Sequence, residues 1–348
     1  MKLKSIQEAG DLEGKVVFVR GDLDVPLEQN GGVTEVRGDS RLYAMRETLD
    51  FLKSKKARIL LAGQIDRPGG KPDPSKSTKV IADYFKKHYP DTKFTPYCCG
   101  INVENEIKNL ALGQILVLEN LRFLPGEEQN DEDLARSLAQ MANIYVNEDF
   151  SNSHRDHASM SKITKFLPSY AGFRLQKEVE VLSGVLESPG RPLYVIIGGA
   201  KVETKLPVIK SFLNIADRIY VGGKTGCFSG DLSKLGPKIV FSCGDPDLSF
   251  NTAKAWAMDI LNARTIVWNG PLGNIGNNQI LGTDLIAQAV VEATENGAKS
   301  IVGGGDTEAY LRSSGCDKGI SFISTGGGAM LDFLAGSEMP ALKPLVKE

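Results

Sequence analysis

Short β-branched apolar runs alternate along the chain with longer stretches in which apolar residues recur at three- and four-residue spacing. Residues 16–20, 57–62, 114–118 and 144–147 predict buried strands, and 41–54, 79–88 and 131–142 between them predict amphipathic helices. A second series follows at 193–197, 218–221, 238–241, 265–268 and 299–302, again with helical stretches between. That order predicts parallel strands joined by helical crossovers. The helical stretch 176–186 separates the two series, so the expectation is an α/β chain of two mainly parallel sheets joined by a helix. The proline-rich piece 67–75 reads as a loop, and no short repeat is present.

The 348 residues are too many for one ordinary core and suit two domains. A net charge of -2 gives no general pull toward nucleic acid or anionic membrane, so an anion site has to be a local basic cluster. The start, Met1-Lys-Leu-Lys-Ser-Ile-Gln, lacks the apolar run of a signal peptide, and no segment approaches the about 20 apolar residues of a membrane span. The five cysteines (Cys98, Cys99, Cys227, Cys243 and Cys316) are odd in number. Cys98 and Cys99 are adjacent, which fits neither a zinc knuckle nor a C-x-x-C pair, so reduced thiols in a cytoplasmic setting are expected.

In open parallel sheets ligands bind beyond the carboxyl ends of the strands. In the first half those positions read Arg20-Gly-Asp22-Leu-Asp24-Val-Pro, Gly63-Gln64-Ile-Asp66-Arg67, Glu119-Asn-Leu-Arg122-Phe and Glu148-Asp-Phe-Ser-Asn-Ser-His154-Arg155-Asp-His157. Arg41 opens the first long helical stretch. One arginine alone reads as a surface charge or an ion pair. Arginines at the ends of successive strands predict an anion site, because the guanidinium fork suits carboxylate and phosphate oxygens. His154 and His157 have a possible metal spacing, but with three histidines in all and no cysteine pair nearby, phosphate contact or support fits better.

In the second half Gly198-Gly199-Ala200-Lys201-Val-Glu-Thr-Lys205 follows a strand and opens a helix, which suits phosphate oxygens. Lys201 and Lys205 are four apart and share a helix face. Gly222-Gly-Lys224-Thr-Gly226 is no P-loop, since Arg218 stands where the motif needs its first glycine. A tight turn or a different nucleotide loop remains. Asn269-Gly270-Pro271-Leu-Gly273, Gly303-Gly304-Gly305-Asp306-Thr307 and Ser324-Thr-Gly-Gly-Gly-Ala329 are further glycine turns. An acid beside a hydroxyl among them points to a nucleoside triphosphate with Mg²⁺ at Asp306, or to Asp306 as a helix N-cap.

Taken together, the strings beginning at Arg20, Leu118, His154, Gly198, Thr265, Gly303 and Ser324 resemble the phosphoglycerate kinase family, in the family's order. The resemblance implies two Rossmann-like domains joined by a helical hinge. Residues 1–170, with a tail of about 338–348 packed back on them, would bind 3-phosphoglycerate or 1,3-bisphosphoglycerate. Residues 171–337 would bind ADP or ATP with Mg²⁺, and direct in-line transfer would follow hinge closure. On matching positions, Asp22, Asp24, Arg41, Gln64, Arg67, Arg122 and Arg155 would bind the phosphoglycerate. Gly199, Ala200, Lys201, Lys205, Asn269, Gly270, Pro271, Gly304, Gly305, Asp306 and Thr307 would bind the nucleotide. Arg41 and Lys205 would be catalytic and Asp306 would face the metal. A cytoplasmic monomer without nucleic-acid or membrane partners is implied.

The chain departs from the family at several of these places. Asp24 stands for Asn, Gln64 for His, Gly63 for Ser and Asp66 for Gly, and Glu148-Asp-Phe-Ser-Asn-Ser153 replaces Asp-Ala-Phe-Gly-Thr-Ala. The Gly-Gly-Gly-Met-Ala stretch becomes Gly222-Gly-Lys-Thr-Gly226, the segment after it is much shorter, and Asn274-Ile-Gly-Asn-Asn278 stands where a ribose-binding Glu is expected. Phosphate handling is therefore expected to be kept, with base and ribose handling open. A regulatory protein on the same fold, or a kinase for another acyl phosphate, would share these residues.

Overall fold

The computed structural model describes residues 1–200, 202–227, 233–243, 247–277 and 279–347, apart from the side chains of Val33, Val202 and Thr204. The chain divides into two compact units, Met1–Glu180 with Met339–Glu348, and Val181–Glu338.

The first unit contains β1 (Val16–Arg20), β2 (Leu27–Asn30), β3 (Val33–Val36), β4 (Arg58–Ala62), β5 (Lys93–Phe94), β6 (Ile115–Val117), β7 (Ile144–Asn147) and β8 (Ser169–Ala171). Six of these form a parallel sheet in the order β5-β6-β4-β1-β7-β8. Every residue of β1 is buried because both faces are covered, which is why it reads as a continuous apolar run rather than an alternation. Val17 and Val19 pack with Leu49, Leu52, Ile81 and Phe85 of two helices on one face. Phe18 packs with Val103, Ile107 and Leu138 on the other.

The expected helix over 41–54 is two, Ser40–Ala44 and Arg46–Ser54, with the break at Met45. The Met45 side chain is buried beside Gly21, where an added Cβ would lie 3.1 Å from its methyl carbon. The exposed hairpin β2–β3 turns on Gly31 and Gly32, both in the left-handed region (φ 57° and 85°). Residues 339–347 complete this unit: Leu3 bridges to Val346, Lys4 N donates to Leu345 O (2.8 Å), and Ala341 N donates to Ser153 O (3.2 Å).

Helix Phe173–Glu187 leads out of the first unit. Glu148 holds its start: Arg174 N donates to Oε1 (3.1 Å) and Leu175 N to Oε2 (3.5 Å). Thr48 Oγ1 donates to Glu148 (2.6 Å) and accepts from Phe173 N (2.9 Å). The orphan N–H groups of a buried helix end are thereby satisfied. A side chain at Gly172 would fall 1.8 Å from the Glu148 carboxylate, so glycine is required there.

The second unit contains β9 (Leu193–Ile197), β10 (Arg218–Val221), β11 (Ile239–Phe241), β12 (Thr265–Asn269), β13 (Lys299–Gly303) and β14 (Phe322–Ser324). They form a parallel sheet in the order β11-β10-β9-β12-β13-β14. Ile196, Tyr220, Trp268 and Val302 pack with Trp256, Ile260, Ile286 and Val290 of two covering helices. In each sheet one neighbouring pair of strands has connections leaving to opposite sides, β1 and β7 in the first and β9 and β12 in the second. Those are the switch points where a crevice opens at the carboxyl ends.

The expectation of unpaired thiols is corrected. Cys227 and Cys243 form a disulfide, leaving Cys98, Cys99 and Cys316 free. The two are 16 residues apart, and it is the pairing of β10 with β11 that brings them together. Among the described residues no helix is long and apolar enough to cross a membrane.

Candidate active site

The switch point of the first sheet carries a dense ionic cluster. Arg20, at the end of β1, is fully buried and engaged on all sides. Its Nε donates to Ser159 Oγ (2.9 Å), and Nη1 donates to Gly21 O (2.7 Å) and Asp149 Oδ2 (2.8 Å). Nη2 donates to Gln64 Oε1. Gln64, read as a substrate contact, therefore gives its amide oxygen to Arg20. Two departures from the family act as one set here, since Gln64 and Asp149 take neighbouring nitrogens of the same guanidinium.

Asp24 and Asp66 form a second such set. Asp66 adopts the left-handed region (φ 55°), where glycine or a short polar residue is favoured. Its N–H donates to Asp24 Oδ1 (2.9 Å), so the carboxylate that replaces asparagine holds the turn that replaces glycine. Asp22 accepts from Arg41 Nη1 (2.9 Å), and its other oxygen is buried without a partner among the described residues. Burial pushes the Asp22 carboxyl up to about 7 against the pull of Arg41.

The remaining arginines carry unused donors. Arg122 is almost fully buried; Nη1 donates to Asp66 O (2.8 Å) and Nε lies 3.3 Å from Glu128 Oε1. Arg122 Nη2 and Arg155 Nε are buried with no hydrogen-bond partner among the described residues. Burial, with Arg155 and Arg20 nearby, holds the Arg122 guanidinium below its usual range. His157 is pushed down to about 3 by burial and by Arg20, Arg122 and Arg155, so it is neutral in this positive field. Arg67 is exposed and carries no ion pair among the described residues. Buried donors left open are costly unless a ligand fills them. An anion with several oxygens fits.

In the second unit three backbone turns interlock at the switch point. Gly198 N donates to Asn269 O (2.9 Å) and Gly199 N to Pro271 O (2.8 Å). Thr225 N (3.1 Å) and Thr225 Oγ1 (2.9 Å) both donate to Gly199 O. An added Cβ would lie 2.2 Å from Pro271 O at Gly198 and 2.4 Å from Gly198 O at Gly270. Gly270 also has φ 94°, so no other residue suits it.

Lys205 is buried, and its ammonium donates to Asn269 Oδ1; Asn269 Nδ2 is buried without a partner among the described residues. Thr307 is also fully buried, and its hydroxyl oxygen accepts from Gly270 N (3.1 Å), so it shapes the turn rather than standing open. Asp306 is not the N-cap: Gly304 (φ 105°) precedes helix Gly305–Ser314, and Asp306 is exposed in its first turn. Lys201 lies outside the described residues.

A cavity of about 440 Å³ opens at these turns, with Gly199, Ala200, Lys224, Pro271, Asn274 and Asp306 in its lining. Lys224 was not singled out in the sequence, where its motif was rejected as a P-loop and left as a tight turn or a different nucleotide loop. Asp306, exposed and unpaired in this lining, fits a cation held by one carboxylate together with ligand oxygens. Among the described residues no group of three or more His, Cys, Asp or Glu side chains forms a metal site of its own.

The family model described as phosphoglycerate kinase matches residues 6–228 and 245–337. A phosphoglycerate kinase of Pseudothermotoga lettingae is 32% identical, with 99% of each chain covered. A chloroplastic phosphoglycerate kinase of Volvox carteri is 35% identical over 98% of this chain and 86% of its own. Among solved structures, phosphoglycerate kinase from Coxiella burnetii superposes with a TM-score of 0.82 at 29% identity, covering 99% of this chain and 98% of that one. That of Pyrococcus horikoshii OT3 gives 0.83 at 25% identity, with the same coverage. A match of this length, on a chain whose two switch points hold an arginine cluster and a set of interlocked glycine turns, leaves one conclusion: the chain belongs to the phosphoglycerate kinase family.

Proposed function

We propose that the chain transfers a phosphoryl group reversibly between 1,3-bisphosphoglycerate and ADP, giving 3-phosphoglycerate and ATP, by direct in-line displacement after hinge closure. The carrying observation is the pair of buried donors, Arg122 Nη2 and Arg155 Nε, that have no protein partner. With the exposed Arg67 beside them they hold the phosphate of the phosphoglycerate, while Asp22 and Arg41 orient its reacting end. Asp24 and Gln64 act on this site through Asp66 and Arg20, to which they are bonded.

On the nucleotide side the turns at Gly199–Ala200 and Gly304–Gly305 offer the backbone N–H groups of Ala200, Gly304 and Gly305 to phosphate oxygens, while the Asn269–Pro271 turn, with its Gly270 N–H bonded to Thr307 and none on Pro271, shapes the site. Lys201 and Lys205 add positive charge. Lys205, set in place by Asn269, and Arg41, paired with Asp22, would each stabilise negative charge on the transferring group, without a protein nucleophile. Mg²⁺ bound with the nucleotide would neutralise phosphate charge, and Asp306 is the residue that would hold it. We read the protein as a cytoplasmic monomer.

The test is a coupled assay that follows ATP formed from 1,3-bisphosphoglycerate and ADP. Lys205→Ala should lower kcat about a hundredfold or more, as removal of one transition-state contact costs about 3 kcal/mol. Inactive parent protein, or a phosphoenzyme trapped on the chain, would sink the reading.

A further inference from the structure

We propose that Lys224 binds the phosphate chain of the nucleotide, as a specificity-determining cation within the Gly222-Gly-Lys-Thr-Gly226 stretch by which this chain departs from the family. The inference rests on the reading of the second unit as the nucleotide site. Its basis is how the backbone places residue 224. β10 runs straight into Gly222 and Gly223, and Gly223 has φ 61°, so the chain turns sharply into the short helix Gly223–Gly226. An added Cβ on Gly223 would lie 3.2 Å from Gly199 N and 3.2 Å from Pro271 O, which shows how closely this turn approaches the phosphate turns.

Thr225 then ties down the turn through both its N–H and its hydroxyl, each bonded to Gly199 O. On the far side Cys227 is linked covalently to Cys243, and Ser242 N donates to Val221 O (3.0 Å). Residue 224 is thus fixed from both sides in the cavity lining beside Gly199 and Ala200.

The Lys224 side chain is exposed there and makes no ion pair or hydrogen bond among the described residues. Asp306, in the same lining, is likewise unpaired, so the cavity's two charges have not neutralised each other. One is placed for an anion and the other for a cation, as a metal–phosphate ligand requires. The rest of the described lining is Gly, Ala, Pro, Asn and Ile, with no aromatic platform and no carboxylate besides Asp306. An ammonium among them gives phosphate charge the stronger claim.

Two variants test this. Lys224→Met keeps the length of the stem and removes the charge, and Lys224→Arg restores the charge. Steady-state kinetics would give KM for ADP, with inhibition constants for pyrophosphate and for adenosine measured against ADP. Lys224→Met should raise KM for ADP and the pyrophosphate constant about tenfold or more, the worth of one charge-assisted hydrogen bond. Adenosine should be unaffected, kcat should change less than KM, and Lys224→Arg should recover most of the loss. Unchanged ADP and pyrophosphate constants would overturn the proposal. So would weaker adenosine binding with pyrophosphate unaltered, which would make Lys224 a base contact. If the parent lacked kinase activity the nucleotide reading would fall instead, and direct titration with pyrophosphate would still judge Lys224.

Discussion

Replacing Gly198 by alanine tests whether the interlocked turns set nucleotide binding. The added methyl would lie 2.2 Å from Pro271 O and 2.6 Å from Gly270 O, both backbone atoms that cannot rotate away. Relief requires the 269–271 turn to retreat by about 1 Å, an overpacking of the kind that costs about 1–3 kcal/mol. The same movement stretches Gly198 N–H to Asn269 O (2.9 Å) and Gly199 N–H to Pro271 O (2.8 Å), each worth about 1 kcal/mol net. Loss of glycine's freedom in the unfolded chain returns about 0.4–1 kcal/mol. The net expectation is about 2–4 kcal/mol of destabilisation, read as a lower urea midpoint, with a higher KM for ADP because the phosphate turns no longer meet. Gly184→Ala is the control: it lies within helix Phe173–Glu187, has nothing within 4 Å of the new methyl, and should stabilise slightly. If Gly198→Ala matched the parent in both midpoint and KM, the account of the turns would be wrong.

Asp24→Asn keeps an oxygen for the Asp66 N–H and removes a negative charge that acts on Arg41. Calorimetric titration should show 3-phosphoglycerate bound as tightly or more tightly, and abolished activity would reveal a positive role for the carboxylate. Glu148 supplies a pH prediction. Burial lifts its carboxyl from 4.5 to about 7, so its contribution to stability is complete below the unfolded value and is lost as pH rises through about 7. Glu148→Gln should flatten the fall in stability across that window by about 3 kcal/mol, only in part because Asp22 titrates in the same direction; denaturation curves at several pH values that keep the parent's slope would contradict it.

The long buried strands were legible because a strand covered on both faces must be a run of apolar residues, as β1 and β9 are. The two-residue β5 and three-residue β8 are too short to show a period, and the Asn30-Gly31-Gly32 turn signal was passed over. The arginines at strand ends were legible as a set, but which of them has open donors depends on packing: Arg20 is engaged throughout, whereas Arg122 and Arg155 are not. The role of Asp24 was illegible because its partner, the Asp66 N–H, lies 42 residues away. The disulfide was illegible for the same kind of reason, since only the neighbouring strands β10 and β11 bring Cys227 to Cys243.

The return of residues 339–347 to the first unit sets an order of assembly on the ribosome. The second unit is one uninterrupted stretch, Val181–Glu338, and holds all its own strands once that stretch has emerged. The first unit begins earlier in synthesis, yet Lys4 waits for Leu345 and Ser153 for Ala341, partners translated after everything else in the fold. Domains made in sequence fold as units during translation. Here the unit that is started first is the one that is closed last, and until then the segment beside Ser153, which leads directly to Arg155, is left without its cover.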